Sequence, residues 1–160
     1  MGLLSGEVMS LDVYLTLPEP IKVSAGSGIC IRDGGQTVEI TREEWNERFP
    51  DREPVTFQRD EQYETNEGYS ANITHNLGRM AEEAGIYKHL WRPEEIGIMK
   101  ARQLIEPLSI GVALMKREPE RFIALNPVNG WGSYDGFVPW IERYIAACCE
   151  FPEAEVSVSR

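Results

Sequence analysis

Leu11, Val13, Leu15 and Leu17 alternate with Asp12, Tyr14 and Thr16, and this period of two predicts a half-buried strand. Pro18 and Pro20 predict its end. Ile29-Cys30-Ile31 and Val38-Glu39-Ile40 flank Asp33-Gly34-Gly35-Gln36, the pattern of a hairpin whose adjacent glycines supply positive φ. Thr41-Arg42-Glu43-Glu44 is a capping box that opens a short helix to about Phe49, with Pro50 as its stop, and Val55-Thr56-Phe57 reads as one more strand. From Ser70 the pattern turns helical. Ser70 is placed to cap a helix running to Gly85. Pro93, with Glu94 and Glu95 in the first turn, opens a second helix to about Ile105. Pro107 predicts a break and a new helix to about Arg117. Phe137, Ile141, Tyr144, Ile145 and Cys148 form the apolar stripe of the last helix, with Pro139 in its first turn, and residues 155–158 alternate as a closing strand. This order predicts a single α+β domain over 9–160: a small, mostly antiparallel β-sheet from the N-terminal third, packed against about four to five helices from the C-terminal two thirds.

Composition narrows the class. The chain has 160 residues, 42% of them apolar and 26% charged, enough for one hydrophobic core and inconsistent with disorder. No run approaches the ~20 apolar residues of a membrane span. Met1 to Val8 lack the basic start of a secretory signal and precede a second methionine, Met9, so 1–8 read as a tag remnant or an upstream start. Cys30, Cys148 and Cys149 are too few and too oddly spaced for a disulfide framework, so a reducing cytoplasm is expected.

The net charge of −10 argues against a nucleic-acid binder. The acidity is concentrated: residues 1–69 carry 14 acidic and 6 basic side chains, residues 70–160 carry 12 and 10. Nine carboxylates lie between Glu43 and Glu67. A run of this kind reads as a solvated face, or as a 43–67 surface that engages a basic protein partner.

Two segments carry candidate chemistry. On the predicted 70–85 helix, Ile73, Leu77, Met80 and Ala84 face the core, while Asn72, His75, Asn76 and Arg79 share an adjoining strip. Asn and His are poor helix formers, and residues that cost local stability concentrate at functional sites. Amides, an imidazole and a guanidinium near a helix N-terminus suit an anionic small molecule. Equally, Asn72 and His75 can satisfy buried backbone groups while Arg79 pairs with Glu82 or Glu83. The second segment, Asn126 to Gly136, sets Trp131 and Tyr134 among three glycines ahead of the last helix, an aromatic wall for a ring. The alternative is a tight connection in which Trp131 plugs the core and Ser133 or Asp135 caps the helix.

Asn72, His75, Asn76, Arg79, Trp131 and Tyr134 are therefore the candidate ligand-binding residues, for a nucleotide-like anion. A non-enzymatic, acidic interaction protein is the second reading. A hydrolase or transferase using His75 with Glu67 or Glu83 as acid and base is the third. No metal site is expected, because the two histidines, His75 and His89, match no ligand spacing. No nucleophile elbow is present, and no cofactor is indicated.

The stretches Met9-Ser10-Leu11-Asp12-Val13-Tyr14-Leu15, Ala71-Asn72-Ile73-Thr74-His75-Asn76-Leu77, Trp91-Arg92-Pro93-Glu94-Glu95-Ile96-Gly97 and Asn129-Gly130-Trp131-Gly132 are similar to a family of short phage, prophage and bacterial proteins with no established activity. The resemblance runs from Met9 over nearly the whole chain. It carries over no catalytic residue. A phage setting would imply an accessory role such as nucleotide handling, sequestration of a nucleotide signal or inhibition of a host protein.

Overall fold

The computed structural model describes residues 10–24, 26–56 and 62–160. The 1–8 segment and Phe57, with the expectations placed on them, lie outside that set. Strand β1 (Ser10–Ser24) does not stop at Pro18. Between Thr16 and Ile21 the register against the neighbouring strand shifts, so Pro18 and Pro20 occupy an unpaired bulge in which no ladder N–H is required. Asn66 Nδ2 bridges that bulge by donating to the Leu17 carbonyl at 3.0 Å.

Strands β2 (Ile29–Asp33) and β3 (Gln36–Ile40) form the expected hairpin. Its turn residues Gly34 and Gly35 sit at φ of 60° and 84°, the left-handed region that L side chains disfavour. Helix α1 (Arg42–Arg48) carries both halves of the capping box: Glu44 N donates to Thr41 Oγ1 at 3.1 Å, and Thr41 N to Glu44 Oε2 at 2.8 Å. The Thr41 backbone N–H, and then the Thr41 hydroxyl, hold the Glu44 carboxyl below its ordinary range. Thr56 makes only an isolated bridge to Ile29.

Residues 70–74 are not helical; they finish strand β4 (Gln62–Thr74). Tyr69, Ala71 and Ile73 alternate with Ser70, Asn72 and Thr74, and pairing with residues 10–15 of β1 decides in favour of the two-residue period. A 3₁₀ turn, His75–Leu77, leads into α2 (Gly78–Glu83). Ile73, Leu77 and Met80 are fully buried as the helical spacing required, but from three successive elements.

Helix α3 (Tyr87–Trp91) is followed by a 3₁₀ turn at Pro93–Ile96. That turn ends at Gly97, with φ of 74°, so the predicted helix to Ile105 is cut short. Helix α4 (Arg102–Arg117) instead runs through Pro107. Its stripe of Leu104, Leu108, Gly111, Val112 and Met115 is buried, and that burial outweighs the ~3 kcal/mol a proline costs inside a helix. Gln103 Oε1 accepts from Met99 N at 2.7 Å and Lys100 N at 2.8 Å, closing the entry.

After α5 (Pro119–Ile123) comes α6 (Tyr134–Glu150), capped by Ser133. It starts three residues before Phe137, which puts Pro139 in its second turn. Strand β5 (Glu155–Ser159) closes the chain against β1. The three-stranded sheet has the order β4-β1-β5, and the β2–β3 hairpin stands apart from it. Leu11, Val13 and Leu15 on β1 meet Leu104, Leu108, Phe137, Ile141 and Tyr144 from α4 and α6 in one core. The fold is α+β. No helix among the described residues is long and apolar enough to cross a membrane.

Candidate functional site

Ending β4 at Thr74 separates the predicted strip. Asn72 stays on the strand, where its Oδ1 accepts from Thr37 N at 2.9 Å and from Arg32 Nη1 at 2.7 Å, and its Nδ2 donates to Thr37 Oγ1 at 3.0 Å. It stitches β3 to β4. Asn76 donates from its backbone and its side chain to Thr74 Oγ1 at 3.3 and 3.0 Å, completing the cap of the 3₁₀ turn. Arg79 is exposed on α2.

The glycine-rich loop does reach this region, through backbone. Thr74 is buried, and its N–H donates to the Gly35 carbonyl at 3.0 Å. A Cβ on Gly132 would stand 2.7 Å from Thr74 Cγ2 and 3.0 Å from Leu77 Cγ. One on Gly35 would stand 2.9 Å from the same methyl and 3.3 Å from Gly132 Cα. Hairpin tip, Thr74 and loop thus close into a tight seam. Tyr134 is anchored there, its N–H donating to Asn126 Oδ1 at 2.8 Å and its hydroxyl to the Met115 carbonyl at 2.9 Å. Trp131 does not plug the core; its side chain is 59% exposed.

Of the six residues, His75 lines a cavity. It shares a pocket of about 450 Å³ with Tyr87, Trp91, Arg92 and Arg160. Tyr87 and Trp91, one helical turn apart on α3, stack at 5.3 Å with planes 12° apart. Tyr87 lies over Gly78, where an added Cβ would be 3.4 Å from its ring. Trp91 Nε1 donates to His75 Nδ1 at 2.8 Å. An imidazole that accepts at Nδ1 carries its proton on Nε2 when neutral, so the tautomer is assigned by the indole.

Two guanidiniums flank these rings. Arg92 Nη1 is 3.1 Å from Glu95 Oε2; its bond to Tyr87, then that to Glu95, raises its pKa further above the ordinary arginine value. Arg160 Nη1 lies 2.6 Å from Glu94 Oε1 and donates to the Trp91 carbonyl at 3.2 Å. The Glu94 backbone N–H, and then Arg160, hold the Glu94 carboxyl below its usual range. Both ion pairs are open to solvent, where such pairs contribute little and exchange partners readily. An anion entering the pocket therefore competes against weak interactions.

Sequence reasoning missed Tyr87, Trp91, Arg92 and Arg160. The Tyr87/Trp91 spacing with Arg92 adjacent was a legible local signal, whereas Arg160 arrives only through the pairing of β5 with β1. Among the described residues no group of three or more His, Cys, Asp or Glu is arranged to hold a metal ion. No family model, curated protein or solved structure matches the chain.

Proposed function

We propose that this chain is a small-molecule-binding domain for an anionic, nucleotide-like ligand, seated in the His75–Tyr87–Trp91–Arg92–Arg160 pocket. The observation that carries the reading is the convergence of two guanidiniums and an imidazole on a stacked aromatic pair in one cavity of about 450 Å³. That volume lies in the range of small-ligand sites. Arginine forks match phosphate oxygens in a bidentate way. Tyr87 and Trp91 line the cavity with aromatic surface suited to a base or sugar edge. His75, its ring held by the Trp91 indole, completes the polar wall of the pocket. Such a domain suits the nucleotide-handling or sequestering role that the phage-protein resemblance implies.

The test is a thermal-shift panel of nucleoside mono- and diphosphates, sugar phosphates and inorganic phosphate. A ligand at about 100 times its Kd adds about 2.7 kcal/mol of stability, several degrees for a domain of this size. The expected result is a nucleotide hit that is lost in Arg92→Gln and Arg160→Gln while the unliganded melting temperature stays put. A panel without any shift overturns the reading.

The second reading, an acidic interaction surface, has support of its own. Helix α1 buries none of its residues, and Glu43, Glu47 and Asp51 all face solvent. A complex made through them would weaken steeply with added salt.

A further inference from the structure

Strands β3 and β4 turn open edges toward each other. In an antiparallel ladder, residues whose N–H and C=O point at a neighbouring strand alternate with residues whose groups point away from it. Thr74 N donates to the Gly35 carbonyl at 3.0 Å, on the side of β4 away from β1. Asn72 and Ser70 stand at alternate positions of the same unbroken register against β1, so their backbone groups also point to that side. Thr37 N donates to Asn72 Oδ1 at 2.9 Å, away from β2. By the same alternation Glu39 presents its N–H and C=O toward β4.

No backbone ladder joins β3 to β4 among the described residues; the two belong to separate sheets. Asn72 holds them apart. Its Oδ1 takes the place of a backbone carbonyl opposite Thr37 N, and its Nδ2 donates to Thr37 Oγ1 at 3.0 Å. A side chain set between two strands keeps their backbones beyond the ~4.8 Å of a direct ladder. The space that results is a cleft of about 480 Å³, with Thr37 and Glu39 on one wall and Ser70 and Ala71 on the other. Thr37, Glu39 and Ser70 are exposed, and Tyr69 and Ala71 are only half-buried.

An open strand edge recognises another extended backbone, and charge selects which kind. Asp33 and Glu39 line the cleft together with Arg143, whose guanidinium is hydrogen-bonded to Gln36. Ser27 N occupies one carboxylate oxygen of Glu39. Past Glu39 the chain runs into α1, and residues 33–53 carry seven acidic side chains and three arginines.

We propose that the β3–β4 cleft seats an extended, basic segment of a partner polypeptide, added as a strand along β4 and paired to the backbone of Ser70 and Asn72. Guest residues opposite Ser70 and Asn72 lie on the face of those side chains and point their own N–H at β4. Thr37 bonds Asn72 on that face, and Glu39 shares it by the period of two, so a lysine or arginine there meets the Glu39 carboxylate. The alternate guest residues turn to the side of Tyr69 and Ala71, where apolar side chains cover half-buried surface. This assignment rests on the acidic-surface reading and gives it a defined seat. It shares no residue with the His75 pocket.

The test is fluorescence anisotropy of a labelled, end-capped peptide of alternating lysine and valine. Saturable binding is expected. Ser70→Pro removes an exposed N–H that β1 does not use and should weaken binding at least about tenfold. On the unsubstituted protein, the same peptide N-methylated at its lysines should lose binding to a similar degree, and a glutamate-valine peptide should not bind. The N-methylated peptide decides the matter should Ser70→Pro fail to fold. If that peptide binds as well as its parent, charge alone holds it; the strand is overturned and the acidic surface stands. Equal binding by the glutamate-valine peptide overturns the basic partner, and no binding by the lysine-valine peptide overturns the site.

Discussion

Replacing Gly132 by alanine tests the seam between the hairpin tip, Thr74 and the glycine-rich loop. Gly132 has φ of 99°, outside the basins an L residue prefers, and holding alanine there costs about 1–3 kcal/mol. The new methyl would also stand 2.7 Å from Thr74 Cγ2 and 3.0 Å from Leu77 Cγ. Both neighbours are buried, so neither can swing into solvent, and overpacking of this kind adds about 1–3 kcal/mol. The total is about 2–6 kcal/mol, and at about 2–4 °C per kcal/mol for a domain near this size the melting temperature falls by roughly 4 °C at least. Gly130→Ala is the control. Its φ is 75°, yet nothing lies within 4 Å of the added Cβ, so it carries backbone strain of only about 1–2 kcal/mol. Urea unfolding of both variants, compared at equal slope, isolates the steric part. If Gly132→Ala costs no more than Gly130→Ala, the loop is not seated on Thr74 and the reasoning is refuted.

Three further expectations follow from the same packing. In the native protein a thiol reagent should label the exposed Cys30 and Cys149 promptly and reach Cys148 only on unfolding, since Cys148 is buried and that burial pushes its pKa up to about 12; rapid labelling of all three would contradict this. Burial depresses the pKa of His89, whose Nδ1 is buried without a partner. The unfolded chain then takes up the proton first, so stability should decline as pH falls below about 6.5, and His89→Gln should flatten that part of the urea-derived profile. Tyr134→Phe deletes the bond to the Met115 carbonyl and should cost about 1 kcal/mol in urea unfolding; a cost near zero would mean the bond is not formed in solution.

Where structure was set by neighbours along the chain, it was legible. The Thr41–Glu44 box, the Gly34-Gly35 turn, the stripe of α6 and the closing strand all appear where local pattern put them. Where pairing partners came from far away, local pattern misled. Residues 70–74 fit a helical face as well as a strand, and only β1, some sixty positions earlier, selects the strand. Pro18 and Pro20 end a strand unless a bulge receives them, and Pro107 ends a helix unless a buried stripe on both sides of it prevails. The candidate site shows the same division. His75 stands out in the sequence for its chemistry, but the polar strip around it requires a helix that β4 replaces. Asn72 and Asn76 turned out to join strands and cap a turn, whereas Arg160 reaches the pocket from the far end of the chain.

Calorimetric titration of adenosine 5′-monophosphate, into the unsubstituted protein and into Arg160→Gln and Arg79→Ala, tests the central claim most directly. The account predicts binding that Arg160→Gln weakens by at least about tenfold and Arg79→Ala leaves unchanged, because Arg160 lines the pocket with His75 and Arg79 does not. Absence of binding heat and of competition by other nucleotides, or a loss confined to Arg79→Ala, would contradict it.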